Sequence, residues 1–166
     1  MLSFMLFSTH LGWMGIVSSE RGIRNIILPR ISKDIVLQQI GNRYDLNQLD
    51  ETPRLFGDVS QRLQQYLNGK RIEFHDNVDI SGATPFQQTI WNITRTIPYG
   101  EIRSYSWIAV RSGSNAARAA GQALKRNPIP ILIPCHRVIR NNADPGGFSG
   151  GIELKKYLLE MEAKHL

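Results

Sequence analysis

A single cysteine, Cys135, stands in the 166 residues, so an internal disulfide and any multi-cysteine zinc site are excluded. So sparse a use of cysteine fits a reducing cytosol. Long hydrophobic runs are missing as well. The apolar opening Met1-Leu2-Ser3-Phe4-Met5-Leu6-Phe7 lacks a basic flank and runs straight into Ser8-Thr9-His10. That is too brief for a signal peptide or a membrane span, and neither a secreted nor a membrane protein is expected. Acid is scarce in one stretch above all. From Arg95 to Arg140 the basic residues are Arg95, Arg103, Arg111, Arg118, Lys125, Arg126, Arg137 and Arg140, and Glu101 is the only acid. With 42% hydrophobic and 20% charged residues the chain reads as globular rather than disordered.

The charge that is present is unevenly placed. Before Ser81 there are 9 Lys and Arg against 9 Asp and Glu; from Ser81 onward there are 11 against 5. The whole formal excess of +6 therefore lies in the second half. A field of that sign favours phosphate backbones, although a basic face that only meets solvent has the same composition.

The length suits one ordinary domain or two small ones, and the fold class expected is α+β in two small domains, residues 1–80 and 81–166. In the first, Phe4–Phe7, Gly12–Val17 and Gly22–Leu28 are short apolar or β-branched runs separated by polar turns. They predict an antiparallel sheet. Asp58 is placed to cap a helix through Leu67, with Val59, Leu63, Tyr66 and Leu67 on one face and Gly69 just past its end. His10 and His75 are isolated and read as surface or structural. This half looks like scaffold.

The second half is expected to be mainly helical. Thr84-Pro85-Phe86-Gln87 is a capping-box pattern with proline at the first helical position. Phe86, Ile90, Ile93 and Ile97 follow at helical spacing until Pro98-Tyr99-Gly100. A short helix is predicted from Tyr105 to Arg111 with Ser104 as cap and Gly113 at its end. Another, from Asn115 to Lys125, would be capped by Ser114. Two short helices joined by a tight glycine turn have the helix-turn-helix form, here winged-helix-like. The second carries Ala116, Ala117, Ala119, Ala120 and Gly121 beside Arg118. The alanines alone suit core packing equally well, but with Arg118 they make a thin basic helix able to approach another surface closely.

Ile129-Pro130-Ile131-Leu132-Ile133-Pro134 then delivers Cys135-His136-Arg137-Val138 at the end of a proline-stiffened segment. A lone cysteine is commonly just a small buried apolar group. A thiol becomes a nucleophile only as thiolate, beside positive charge or a base. His136 is a candidate base and Arg137 adds positive field, which favours a functional reading here. Asn127-Pro128 followed by Ile131-Leu132-Ile133-Pro134-Cys135-His136-Arg137-Val138-Ile139 resembles the active-site signature of the O6-alkylguanine-DNA alkyltransferases, the methylated-DNA–protein-cysteine methyltransferases. Similarity extends from Thr84 to Glu162 through Pro98-Tyr99-Gly100-Glu101, Ser104-Tyr105, Ala116-Ala117-Arg118-Ala119, Ser149-Gly150-Gly151 and Lys155 through Glu162.

The resemblance implies a DNA-repair transferase without turnover. Cys135 would accept the alkyl group from guanine O6, with O4-alkylthymine as a second candidate substrate, and would keep it as a thioether. His136 would act as base through a water, Glu162 would orient His136, and Asn127 would hold the turn before the cysteine. DNA would be held by Tyr105, Ser106, Ala117, Arg118, Ala120, Gly121, Arg126 and Arg137, with Arg118 filling the space left by the flipped base. Tyr105, Pro130, Val138, Phe148 and Ser149 would line the base and alkyl pocket. Many members carry tyrosine where Phe148 stands, so a hydroxyl is absent from that wall. No cofactor and no metal are implied. The partner would be double-stranded DNA carrying O6-alkylguanine, bound by a monomer, in the cytoplasm with the nucleoid of a prokaryote or in a eukaryotic nucleus. The alternative is an alkyltransferase-like lesion-recognition protein, but those relatives replace the cysteine that is present here.

Overall fold

A computed structural model of the chain describes residues 1–52, 56–140, 146–148 and 150–166. The chain forms two compact units, Met1–Asp79 and Ile80–Leu166. Both are α+β in content.

In the first unit β1 (Leu2–Thr9), β2 (Gly12–Ser19) and β3 (Gly22–Arg30) form an antiparallel meander. Its turns are built from the polar residues between the runs. Thr9 Oγ1 donates to the Gly12 carbonyl at 2.8 Å and accepts from Leu11 N at 3.1 Å. Two elements escape the periodicity of the sequence. Helix α1 (Lys33–Gly41) is capped by Ser32, whose side chain accepts from Ile35 N. Strand β4 (Leu49–Glu51) adds to the β1 edge in parallel and makes the sheet mixed, in the order β3-β2-β1-β4. At three residues, β4 is too short to show an alternation. Phe4, Val17 and Ile27 pack with Val36 and Ile40 of α1 and Leu49 of β4 in one cluster. Met5 and Phe7 alternate to the opposite face of β1 and are buried too.

Helix α2 (Val59–Leu67) packs against β1 and buries Val59, Leu63, Tyr66 and Leu67. Asp58 precedes it but makes no side-chain cap. Its carboxylate instead accepts from Arg62 Nε at 2.9 Å, and Arg62 also grips Asp76 with both terminal nitrogens at 2.9 and 2.6 Å. The charged partner outcompetes the helix N–H groups. Residues 77–79 run beside the start of β3, with Ile23 N donating to Asn77 O and Asp79 N to Ile23 O. A Cβ at Gly22 would overlap the Asn77 carbonyl, so this approach requires glycine.

The second unit opens with α3 (Pro85–Thr94), whose N-terminus is a complete capping box between Thr84 and Gln87. Its buried side chains are Ile90, Trp91 and Thr94; Phe86 is exposed and Ile93 only half-buried, so the inward stripe is rotated from the isoleucine spacing. The reason is Trp91, whose Nε1 donates to the Ala123 carbonyl at 2.8 Å and fixes which side faces in. Next come β5 (Arg103–Ser104), α4 (Tyr105–Arg111) and α5 (Ala117–Lys125). Ser104 caps α4 by accepting from Trp107 N, and Gly113 turns the chain at φ 82°. Helix α5 begins later than its composition suggests: Ser114 accepts from Ala116 N, within the turn, rather than capping a helix from Asn115. Helices α4 and α5 pack together as a helix-turn-helix pair, and α3 packs on both. Cys135–Arg137 form a single 3-10 turn leading into β6 (Val138–Ile139), which pairs in parallel with β5. Helix α6 (Ile152–Lys164) follows and packs on the cysteine turn. No helix among the described residues is long and apolar enough to cross a membrane.

Candidate active site

The segment before Cys135 is bound down at both ends by one side chain. Asn127 Oδ1 accepts from Ile129 N at 2.9 Å, while its Nδ2 donates to the Ile133 carbonyl at 2.8 Å and to Cys135 Sγ at 3.2 Å. Between them Ile131 adopts φ 75°, a left-handed conformation that costs a β-branched residue energy and is held by its surroundings. Asn127 thus does more than hold a turn. It places a hydrogen-bond donor on the sulfur.

The thiol itself is buried, yet it reaches the floor of a pocket of about 550 Å³. Tyr105 and Ser106 of α4, Ala117, Arg118 and Gly121 of α5, and Phe148 line it. Lys125 and Arg140 add positive charge to its rim. Burial pushes the Cys135 thiol up from its ordinary value; the Asn127 hydrogen bond, the positive Lys155 and the backbone amides of Cys135 and His136 oppose that rise.

His136 is completely buried in the same 3-10 turn, and its Nε2 lies 2.6 Å from Glu162 Oε2 of α6. Burial raises the carboxyl of Glu162, but hydrogen bonds and charges from His136 and Arg137 outweigh it and hold the group far below the usual carboxylate range. An ionised carboxylate only accepts, so Nε2–H is the donor and Nδ1 is the basic nitrogen. Burial lowers the His136 pKa; Glu162 pulls it up, while Arg137 and Lys155 push it further down.

Several expected positions fall elsewhere. Arg137 does not face outward to DNA: it is buried, with Nε and one terminal nitrogen on Glu162 at 2.8 and 3.1 Å and the other on the Ile97 carbonyl at 2.8 Å. Its guanidinium is consumed by an internal carboxylate, which one-dimensional adjacency to His136 could not reveal. Ala120 is fully buried and presents no side chain to a ligand. Pro130 and Val138 are buried and are not among the residues that line the pocket. Arg126, expected at DNA and not in the pocket, is by contrast exposed, at the C-cap of α5. Ser149 lies outside the described residues.

One residue of the site does not stand out in the sequence. Lys155 is fully buried, and its Nζ donates to the Val138 carbonyl at 2.7 Å and to the Gly147 carbonyl at 3.3 Å. It ties the strand after the cysteine to the wall that carries Phe148. The signal was available: Lys155, Leu158 and Glu162 recur at i, i+3 and i+7 on α6, so the lysine sits on the helix's inward stripe.

Residues 85–164 match the family described as 6-O-methylguanine DNA methyltransferase, DNA binding domain, and residues 3–80 match its ribonuclease-like domain. The constitutive methylated-DNA–protein-cysteine methyltransferase of Bacillus subtilis is 48% identical over 114 residues, 68% of each chain. The methylated-DNA–protein-cysteine methyltransferase of Methanosarcina acetivorans is 32% identical over 160 residues, 96% of this chain and 97% of the relative. Among solved structures, Mycobacterium tuberculosis OGT in complex with DNA superposes with a TM-score of 0.81 at 33% identity, covering 98% of this chain and 94% of that one. Fold and site define a class of protein in which a helix-turn-helix pair walls a basic pocket with a hydrogen-bonded thiol at its floor. This chain belongs to the 6-O-methylguanine DNA methyltransferase family.

Proposed function

We propose that the protein repairs DNA by direct reversal, transferring the alkyl group of O6-alkylguanine in duplex DNA to Cys135. The observation that carries the reading is the Cys135 sulfur at the pocket floor, fixed by Asn127 and followed in the same turn by the His136–Glu162 pair. The thiol proton passes to Nδ1 of His136 through a water. Sulfur then attacks the alkyl carbon, the carbon–O6 bond breaks with its electron pair left on oxygen, and the guanine anion takes up a proton. Tyr105 donates toward guanine N3 as that charge develops. The product thioether is stable, so one molecule removes one alkyl group.

A stacked base cannot present its O6 substituent to a buried sulfur, so the nucleotide must be turned out of the duplex. Arg118, exposed on α5 and lining the pocket, is placed to occupy the gap. The small residues Ala117 and Gly121 let α5 approach the minor groove. O4-alkylthymine is a second candidate substrate for the same chemistry. Residues 81–166 carry DNA binding and transfer, and residues 1–80 act as scaffold. The protein acts as a monomer with no cofactor or metal, in the compartment that holds the genome.

Intact-protein mass after incubation with DNA containing O6-methylguanine tests this. The expected result is a gain of one methylene per molecule that never exceeds one and that Cys135→Ala abolishes while leaving DNA binding nearly intact. Binding without a mass gain would reduce the protein to a lesion sensor; neither binding nor gain would refute the reading.

A further inference from the structure

Glu162 receives more donors than a partner of one histidine needs. Oε1 accepts from Gly100 N at 3.1 Å and Arg137 Nε at 2.8 Å; Oε2 accepts from His136 Nε2 at 2.6 Å and a terminal Arg137 nitrogen at 3.1 Å. These four bonds fill the carboxylate's accepting capacity. Arg137 is itself locked, since its remaining terminal nitrogen is on the Ile97 carbonyl at 2.8 Å and its guanidinium lies 5.7 Å from the Tyr99 ring centre. A buried carboxylate at 2.6 Å with no other cation draws histidine toward imidazolium, and an imidazolium takes no proton from a thiol.

We propose that Arg137 is a positioning residue for the transfer: by sharing Glu162 it lets the carboxylate orient His136 without charging it, so His136 remains a neutral base. This rests on the reading of Cys135 as alkyl acceptor. The groups that face the His136 ring divide cleanly. Among the described residues Glu162 favours the charged form, whereas Arg137 and Lys155 oppose it, and Phe148 contributes an apolar ring 6.5 Å away. Burial of the ring acts in the same direction as the two cations.

The test uses the full chain, wild type, Arg137→Gln and Arg137→Lys, each checked for folding by thermal melting. Histidine-ring NMR follows the titration of His136, and the rate of benzyl transfer from free O6-benzylguanine is measured against pH. In wild type the His136 ring is expected to be neutral at pH 7. In Arg137→Gln the ring titration and the acidic limb of the rate profile should both move up by about one pH unit or more, roughly a tenfold slower transfer on that limb. Arg137→Lys, which keeps the charge, should lie closer to wild type. An unmoved titration with a rate loss equal at every pH would overturn the proposal, leaving Arg137 as packing. An imidazolium in wild type at pH 7 would overturn it without any variant. A wild type inert toward both O6-benzylguanine and DNA containing O6-methylguanine, whose ring still shifts on Arg137→Gln, would sink the transfer reading while upholding Arg137's hold on His136.

Discussion

The two units use their charged side chains differently. In the first, half-buried cations meet carboxylates: Arg62 bridges the exposed Asp58 and the half-buried Asp76, and Arg24 lies 3.9 Å from the buried Asp79. These pairs stitch α2 and residues 76–79 to the rest of the unit, and the core beneath them is apolar. In the second, Arg118, Lys125 and Arg126 have no carboxylate partner among the described residues. Inside it, by contrast, a thiol, an imidazole, a carboxylate, a guanidinium and an ammonium are all buried. Such a network is a weak stabiliser, because desolvating each ion costs several kcal/mol that its partners only offset. What it supplies is geometry. The first unit spends its charges on staying folded, and the second holds them where they act on a sulfur and, outside, on phosphate.

Asn127→Ala should give the largest departure, because it strikes fold and chemistry together. It leaves the Ile129 N–H and Ile133 carbonyl without their partner in a buried segment, at about 1–3 kcal/mol each. It also removes the donor that stabilises sulfur as charge builds, for a further loss of about tenfold or more in transfer. Both losses should appear with free O6-benzylguanine and with duplex DNA; a variant that melts early yet transfers at the wild-type rate would separate stability from chemistry at this position. Arg118→Ala should be next. It should slow transfer from duplex DNA by about 100-fold, the cost of leaving an extruded base uncompensated, while free O6-benzylguanine reacts within about twofold of wild type. Equal slowing of both substrates would remove Arg118 from the DNA-dependent step.

Much of this arrangement was legible before folding, and what escaped has physical reasons. Signals confined to a few adjacent residues survived well: the Thr84–Gln87 capping box, the Ser104 cap and the α2 stripe all form from local backbone geometry. Asp58 and Ser114 also have the sequence of caps, but Arg62 takes the Asp58 carboxylate, and the Ser114 hydroxyl bonds Ala116 N in a turn that precedes the helix. Strand β4 depends on an edge supplied by β1, more than forty residues earlier, which no local window contains. At the site, the signature around Cys135 pointed to a thiol with a base. The place of Arg137 is hidden because its partner, Glu162, is brought to it by α6 from 25 residues away. Positive charge in a basic stretch looks the same whether it faces solvent or a buried carboxylate.

The smallest expected effect comes from the first unit, and it tests the comparison from the other side. Arg62 is half-buried between two aspartates and lies 5.6 Å from the Phe74 ring centre. Exposed pairs such as Arg62–Asp58 contribute little, but the two-pronged grip on Asp76 and the ring contact should together contribute about 1–2 kcal/mol. Arg62→Ala should therefore lower the melting temperature by about 3–6 °C and leave benzyl transfer from O6-benzylguanine at its wild-type rate. If the charges of the first unit serve only its fold, stability and transfer will come apart in this variant. A fall in transfer at temperatures where Arg62→Ala is fully folded would mean that the first unit shapes the chemistry, and the division of labour drawn from the two charge patterns would be wrong.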